Sequence, residues 1–178
     1  LQEKTGGFTE FVILPFIHME SPIYLKGRAR KGPTFREAIL IHAISRLVLH
    51  PLFKNIQASW TKLGHEGVRA CLQAGVNDLG GTLMNETITR AAGAAHGQET
   101  SPEEMEEIIR SIGRTPRQRS TTYGEVTELQ RQKSFGAVAV LEPTYTSAKK
   151  YERKQSRKQQ DLVRNELEPE TLTSQDII

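Results

Sequence analysis

Three short stretches of the chain gather side chains able to do chemistry. The first runs from Pro15-Phe16-Ile17-His18-Met19-Glu20 into the loop Lys26-Gly27-Arg28-Ala29-Arg30-Lys31. Four cations in six positions can hold a carboxylate or a phosphate, since arginine offers a fork of donors and lysine a point charge. A solvated loop explains the same run equally well. The second stretch holds Gln57, Ser59, Trp60 and Lys62. Side chains alternate along a strand, so Gln57 and Ser59 fall on one face and Ile56, Ala58 and Trp60 on the other. Turned inward, the polar face would hydrogen-bond a substrate; an edge strand with a wet face gives the same pattern. The third is Asp78-Leu79-Gly80-Gly81-Thr82-Leu83-Met84-Asn85-Glu86. Paired glycines let the backbone approach a ligand, and a helix opening after them offers unpaired N–H groups to an anion. The spacing is not that of dinucleotide-binding folds, and a tight turn accounts for it as well.

Metal chemistry is not supported by this residue set. His42 and His50 stand eight apart, His18, His65 and His96 stand alone, and no H-E-x-x-H pair occurs. With one cysteine, Cys71, the chain excludes an internal disulfide, a thiolate zinc site and an iron–sulfur cluster ligated wholly within itself. No metal bound by this chain is expected. His42 reads as a helix residue with a partner, His96 in its glycine-rich loop as an exposed functional candidate, and Cys71 as a small buried hydrophobe.

Alternating strands and helices must position these groups. Residues 8–17 are rich in Phe, Val and Ile and read as a strand covered on both faces, as in a parallel sheet. Thr34 and Glu37 form a capping box that opens a helix over 35–49, closed by His50-Pro51. Residues 55–60 alternate as a strand, and a helix over about 65–74 ends at Gly75. Residues 77–83 supply a third strand and 85–92 a helical stretch. Ser101, Pro102, Glu104 and Gly113 bracket a further helix. A short strand is expected over 135–141. Residues 124–178 read as a polar, basic extension, partly helical and partly disordered. Three strand–helix units in succession argue for a parallel α/β sheet, either small and open or the last part of a barrel.

Composition narrows the classes. At 178 residues the prior is one domain with a small appendage, and 37% hydrophobic residues leave part of the chain outside a core. A formal net charge of +3 is too weak a bias to indicate a nucleic-acid or membrane partner. The basic run over 149–158 reads as a solvated helix face, with Asp161 able to pair with Arg157 and Arg164. RNA binding through it is the weaker reading, since the aromatic stacking partners of single-strand binders are missing. The longest early apolar run, residues 11–17, is interrupted by Pro15, so no membrane span is expected, and no signal peptide is seen; a cytoplasmic setting follows. A start at Leu1, with a strand within ten residues, suggests a fragment of something longer.

Taken together, several motifs resemble one family. They are Gly6-Gly7-Phe8-Thr9-Glu10-Phe11-Val12, Pro15-Phe16-Ile17-His18, Ser21-Pro22-Ile23-Tyr24-Leu25-Lys26-Gly27-Arg28, Gly32-Pro33-Thr34-Phe35-Arg36-Glu37-Ala38, the stretch from Asn77 to Glu86, Ala91-Ala92-Gly93-Ala94 with His96-Gly97, and Gly113-Arg114-Thr115-Pro116-Arg117-Gln118-Arg119. In this order they resemble the tyrosine-using half of FO synthase, a radical S-adenosylmethionine transferase of deazaflavin biosynthesis. The resemblance covers residues 1–124. It implies the last three strand–helix units of a (β/α)8 barrel, followed by the extension over 125–178. It further implies that a 4Fe–4S cluster and S-adenosylmethionine serve the complete enzyme while this chain binds neither, because the C-x-x-x-C-x-x-C motif is absent. The implied substrates are tyrosine, whose hydroxybenzyl part is transferred, and a ribitylamino-diaminouracil. The implied partners are the missing N-terminal barrel half and the second FO synthase subunit. Strand-end position and resemblance together select His18, Arg28, Gln57, Ser59, Asn85, Glu86 and His96 as substrate-facing; no catalytic residue is singled out. Ile13 stands where the family usually has proline, and the extension has no recognised counterpart. A radical enzyme of the futalosine route to menaquinone and a non-catalytic RNA-binding module remain the alternatives.

Overall fold

The computed structural model describes residues 1–83 and 85–137. Helix α1 (Gln2–Thr5) leads into strand β1 (Glu10–Ile13), followed by α2 (Pro22–Leu25) and the long α3 (Phe35–Leu49). Strand β2 (Asn55–Ala58) and α4 (Trp60–Gln73) come next, then α5 (Ile88–Ala91), α6 (Pro102–Arg110) and α7 (Glu128–Phe135). The expected strand–helix alternation is present through α4. The strand expected over 135–141 falls mostly outside the described residues, at 138–141; of the rest, Phe135 ends α7, whose start is fixed by the capping box of Thr127 and Gln130. The readings for the basic run over 149–158 also lie outside them.

β1 and β2 run parallel, with Glu10 opposite Asn55 and Val12 opposite Gln57. The third strand shrinks to one parallel bridge between Gln57 and Asp78. Two local causes stop it. Asn77 Oδ1, a side-chain atom, accepts the Ile56 N–H at 2.9 Å, and Gly80 at φ 76° turns the backbone out of the ladder. The helical stretch expected over 85–92 likewise narrows to Ile88–Ala91, because Asn85 sits at φ 52° in the left-handed region.

The core lies on one side of this small sheet. Ile56 and Ala58 of β2 pack with Trp60, Val68, Cys71 and Leu72 of α4, with Val76 and Leu79 beyond it, and with Ile108 of α6. Capping fixes the helices that support this layer. Thr34 Oγ1 accepts the Glu37 N–H while Glu37 Oε2 accepts the Thr34 N–H, and Ser101 and Glu104 repeat the device on α6. α4 starts earlier than its periodicity suggests, at Trp60, because two helical pieces join across Gly64, where φ 65° and ψ 178° break the helix. Arg46 of α3 ties the layer together: its guanidinium donates to the Gly75, Phe53 and Lys54 carbonyls and to Asn77 Oδ1.

The two-faced burial expected of β1 does not occur. Its four residues are all half-buried, and the flanking Phe8 and Leu14 are exposed. The far side of α3 is similarly uncovered, with Leu40, Ile44, Leu47 and Val48 exposed at i, i+4, i+7 and i+8. Both the outer face of α3 and the edge of β1 are therefore apolar surface without cover among the described residues.

Candidate functional site

Strand alternation puts Glu10 and Gln57 on the sheet face opposite the core, and the bridge adds Asp78 to the same row. The segment after α6 folds back across this face. Arg114 anchors it by donating to the Leu72 and Val76 carbonyls at 3.1 and 2.8 Å. Five residues from loci far apart in sequence then form one network. Arg119 grips Asp78 through Nε to Oδ1 at 2.9 Å and Nη2 to Oδ2 at 2.6 Å. Gln57 Nε2 donates to Glu10 Oε2 at 2.9 Å and to Asp78 Oδ2 at 3.0 Å. The Tyr123 hydroxyl lies 2.5 Å from Glu10 Oε2 and 2.8 Å from Asp78 Oδ2, and the Arg119 guanidinium sits 4.0 Å from the centre of its ring.

Electrostatics follow from this crowding. Burial pushes the Asp78 pKa up, but hydrogen bonds from Arg119, Gln57 and Tyr123 outweigh it and hold the carboxyl below its ordinary value. Burial, and then the Glu10 and Asp78 carboxylates, push the Tyr123 phenol upward, away from ready ionisation. Arg119 is raised by its partner Asp78. Two acids and one guanidinium leave the cluster net negative.

A cavity of about 710 Å³ lies against the network, with Gln57, Ser59, Gly80 and Arg119 in its wall. Trp60 shapes its rim: the indole N–H donates to the Gly81 carbonyl at 3.1 Å and so fixes the glycine turn. Ser59 Oγ pairs with Thr61 Oγ1 at 3.0 Å. A second cavity of about 240 Å³ brings His18 and His96 together with Phe16, Pro33, Phe35 and Lys62. His18 Nδ1 accepts the Gly32 N–H at 3.1 Å, and burial followed by Lys31 lowers its pKa, so the ring is held neutral. His96 is exposed, as its glycine-rich loop suggested, and its Nε2 lies 3.1 Å from the Lys62 carbonyl.

The seven selected residues therefore separate. Gln57 and Ser59 line the larger cavity, and His18 and His96 the smaller. Arg28, Asn85 and Glu86 line neither. Arg28 is exposed on its loop, and Asn85 Oδ1 accepts from Arg90 at 2.9 Å. Glu86 places both carboxylate oxygens 3.1 Å from the Thr89 N–H, so the helix N-terminus expected to receive an anion takes one from its own chain. The row of Glu10, Arg119 and Tyr123 was not anticipated. The one local hint was a charged or amide residue, Glu10, Gln57 and Asp78 in turn, on the same face of β1, β2 and the bridge.

The residues present do not fit a thiolate-ligated cluster. Among the described residues no group of three His, Cys, Asp or Glu could hold a metal ion. Cys71 is buried in α4 among Ile56, Val68 and Leu72, and burial pushes its thiol up to about 11.

Comparison with known proteins gives this geometry a family. The model of the CofH/MqnC C-terminal region matches residues 5–133, from before β1 into α7. The chain belongs to this family. It is 55% identical over 126 residues to the FO synthase of Nocardia farcinica, covering 71% of this chain and 15% of that protein. It is equally identical, over 126 residues, to the 5-amino-6-(D-ribitylamino)uracil–L-tyrosine 4-hydroxyphenyl transferase of Methanopyrus kandleri, covering 71% of this chain and 34% of that protein. The transferase of the same name from Methanothermobacter thermautotrophicus is 50% identical over 129 residues, covering 72% and 35%. The chain thus spans between about a seventh and a third of these relatives' lengths. Among the described residues no helix is long and apolar enough to cross a membrane.

Proposed function

We propose that this chain supplies the C-terminal part of the substrate cavity of an FO synthase, joining a 4-hydroxyphenyl-bearing fragment of L-tyrosine to 5-amino-6-(D-ribitylamino)uracil. The observation that carries this reading is identity of 50–55% over 126–129 residues to an FO synthase and to two 5-amino-6-(D-ribitylamino)uracil–L-tyrosine 4-hydroxyphenyl transferases, with a family match over residues 5–133 that takes in most of the lining of both cavities. The RNA-binding and menaquinone-route readings lack comparable support.

In this reading residues 1–124 are the last strand–helix units of a barrel. The parallel pair β1–β2 with its bridge to Asp78 keeps the strand order and direction such an arc requires. The uncovered apolar faces of α3 and β1 meet the remainder of the barrel, and residues 125–178 form an extension that opens with α7. In this reading the cluster that the resemblance implies, and S-adenosylmethionine with it, belong to other parts of the complete enzyme; among the described residues no group of three His, Cys, Asp or Glu could hold the cluster's metal. This chain's contribution is binding and orientation. Gln57 and Ser59 offer neutral polar groups to a ligand rich in donors and acceptors, while His18 and His96 line the separate, smaller cavity.

The full-length protein carrying this segment, reconstituted anaerobically, is the material for the test. L-tyrosine is expected to be consumed only when 5-amino-6-(D-ribitylamino)uracil is present, and Gln57→Ala is expected to lower that coupled consumption by about five-fold or more. Tyrosine left untouched by the unsubstituted enzyme refutes the reading.

A further inference from the structure

Gln57 is held in one orientation from three separate parts of the chain. Both hydrogens of its amide are committed, one to Glu10 Oε2 and one to Asp78 Oδ2. Carboxylates accept and do not donate, so turning the amide over would set its oxygen against two acceptors. The carbonyl must point the other way. It lies over Gly80, where an added Cβ would stand 3.1 Å from Oε1, and among the described residues no donor is assigned to it. Glycine at φ 76° keeps this approach open where a side chain would crowd it.

The two carboxylates are fixed in turn from the returning C-terminal segment. Arg119 fills both oxygens of Asp78 with its planar fork and reaches Glu10 Oε2 at 3.8 Å. Tyr123 sets its hydroxyl between the two acids while its ring backs the guanidinium. Its own backbone sits at φ 63°, a conformation a tyrosine holds only when its surroundings impose it.

We infer that Arg119 and Tyr123 are positioning residues: through Asp78 and Glu10 they lock the Gln57 amide so that its carbonyl presents one fixed acceptor to an N–H or O–H donor of a ligand in the larger cavity. The inference rests on the proposed function in taking that ligand to be the aminouracil, a compound dense in N–H groups. Pre-orientation matters because an acceptor already held in place loses no rotamer freedom on binding. Tyr123 is not in the wall of that cavity, and Arg119, which is, spends both arms of its fork on Asp78.

The test uses the full-length protein with Tyr123→Phe, which keeps the ring under Arg119 and removes the hydroxyl, and with Arg119→Lys, which keeps the charge and removes the fork. Two quantities are read: solvent exchange of the Gln57 side-chain amide by nitrogen-15 NMR, its signal assigned by its loss in Gln57→Glu, and equilibrium binding of 5-amino-6-(D-ribitylamino)uracil. In both variants the amide is expected to exchange about ten times faster and the aminouracil to bind about three- to ten-fold more weakly. Should Arg119→Lys fail to fold, Tyr123→Phe carries the test alone. Unchanged exchange overturns the inference, and so does faster exchange with unchanged affinity, which would make the network structural only. If the unsubstituted protein binds neither the aminouracil nor L-tyrosine, the functional reading falls, and the exchange rates still decide whether the lock exists.

Discussion

Arg119 and Asp78 meet through two parallel hydrogen bonds, 2.9 and 2.6 Å, that join the segment after α6 to the last rung of the sheet. The Asp78 side chain is 11% exposed and that of Arg119 25%, so the pair is largely desolvated and removing one partner strands the other. Arg119→Ala is expected to cost about 2–3 kcal/mol in urea unfolding, and Arg119→Lys about 1 kcal/mol. Equal stability of both variants with the parent chain would contradict a closed pair.

The same pair sets an acid limit. Asp78 is held below its ordinary value of 3.8 in the folded chain, so the unfolded chain binds the proton more readily. Its stabilising contribution is full above 3.8 and is lost as pH falls through the depressed folded value. Asp78→Asn is expected to flatten this part of the stability curve, measured by urea midpoints between about pH 5 and pH 2; an unaltered acid limb would count against it.

His42 gives a second, separate titration. It is fully buried in α3, with Nδ1 2.6 Å from the Ala38 carbonyl and Nε2 without a partner. Burial lowers its pKa below the ordinary 6.5, more than the carbonyl raises it. The folded chain resists protonation there, so stability falls as pH drops below 6.5. His42→Gln is expected to remove this slope, read from thermal midpoints across about pH 7 to pH 5.

Gly97 lies against the start of α4 at φ 95°, and an added Cβ would stand within van der Waals overlap of the Thr61 carbonyl, a backbone atom that cannot swing aside. Gly97→Ala is expected to destabilise by about 2 kcal/mol or more and to loosen the loop that carries His96. Thermal unfolding checks the first effect and hydrogen exchange of residues 94–98 the second.

Trp60 couples the core to the cavity rim. Trp60→Phe keeps most of the buried ring but drops the hydrogen bond to the Gly81 carbonyl. The expected cost is about 1 kcal/mol, with faster hydrogen exchange confined to residues 80–83. Exchange that rises evenly through α4 instead would show that the indole serves packing alone.

What the sequence by itself determined is local. The capping boxes at Thr34 and Ser101 lie within three residues of their partners, so the starts of α3 and α6 are written in short spacing, and both form as read. The alternation at Ile56, Gln57 and Ala58 likewise foretold which face of β2 meets the core, and the ordered motifs pointed to the family that the comparison established. Tertiary structure decided the rest. The third strand reduces to a bridge because the Asn77 side chain takes a ladder hydrogen bond, a competition periodicity does not register. His18 and His96 share one cavity while Arg28, Asn85 and Glu86 stand apart from both, which depends on where loops fold and not on residue type. The lock on Gln57 joins Glu10 to Tyr123 across almost the whole described chain. Such contacts are fixed by packing and by charge satisfaction at long separation, and no local spacing encodes them.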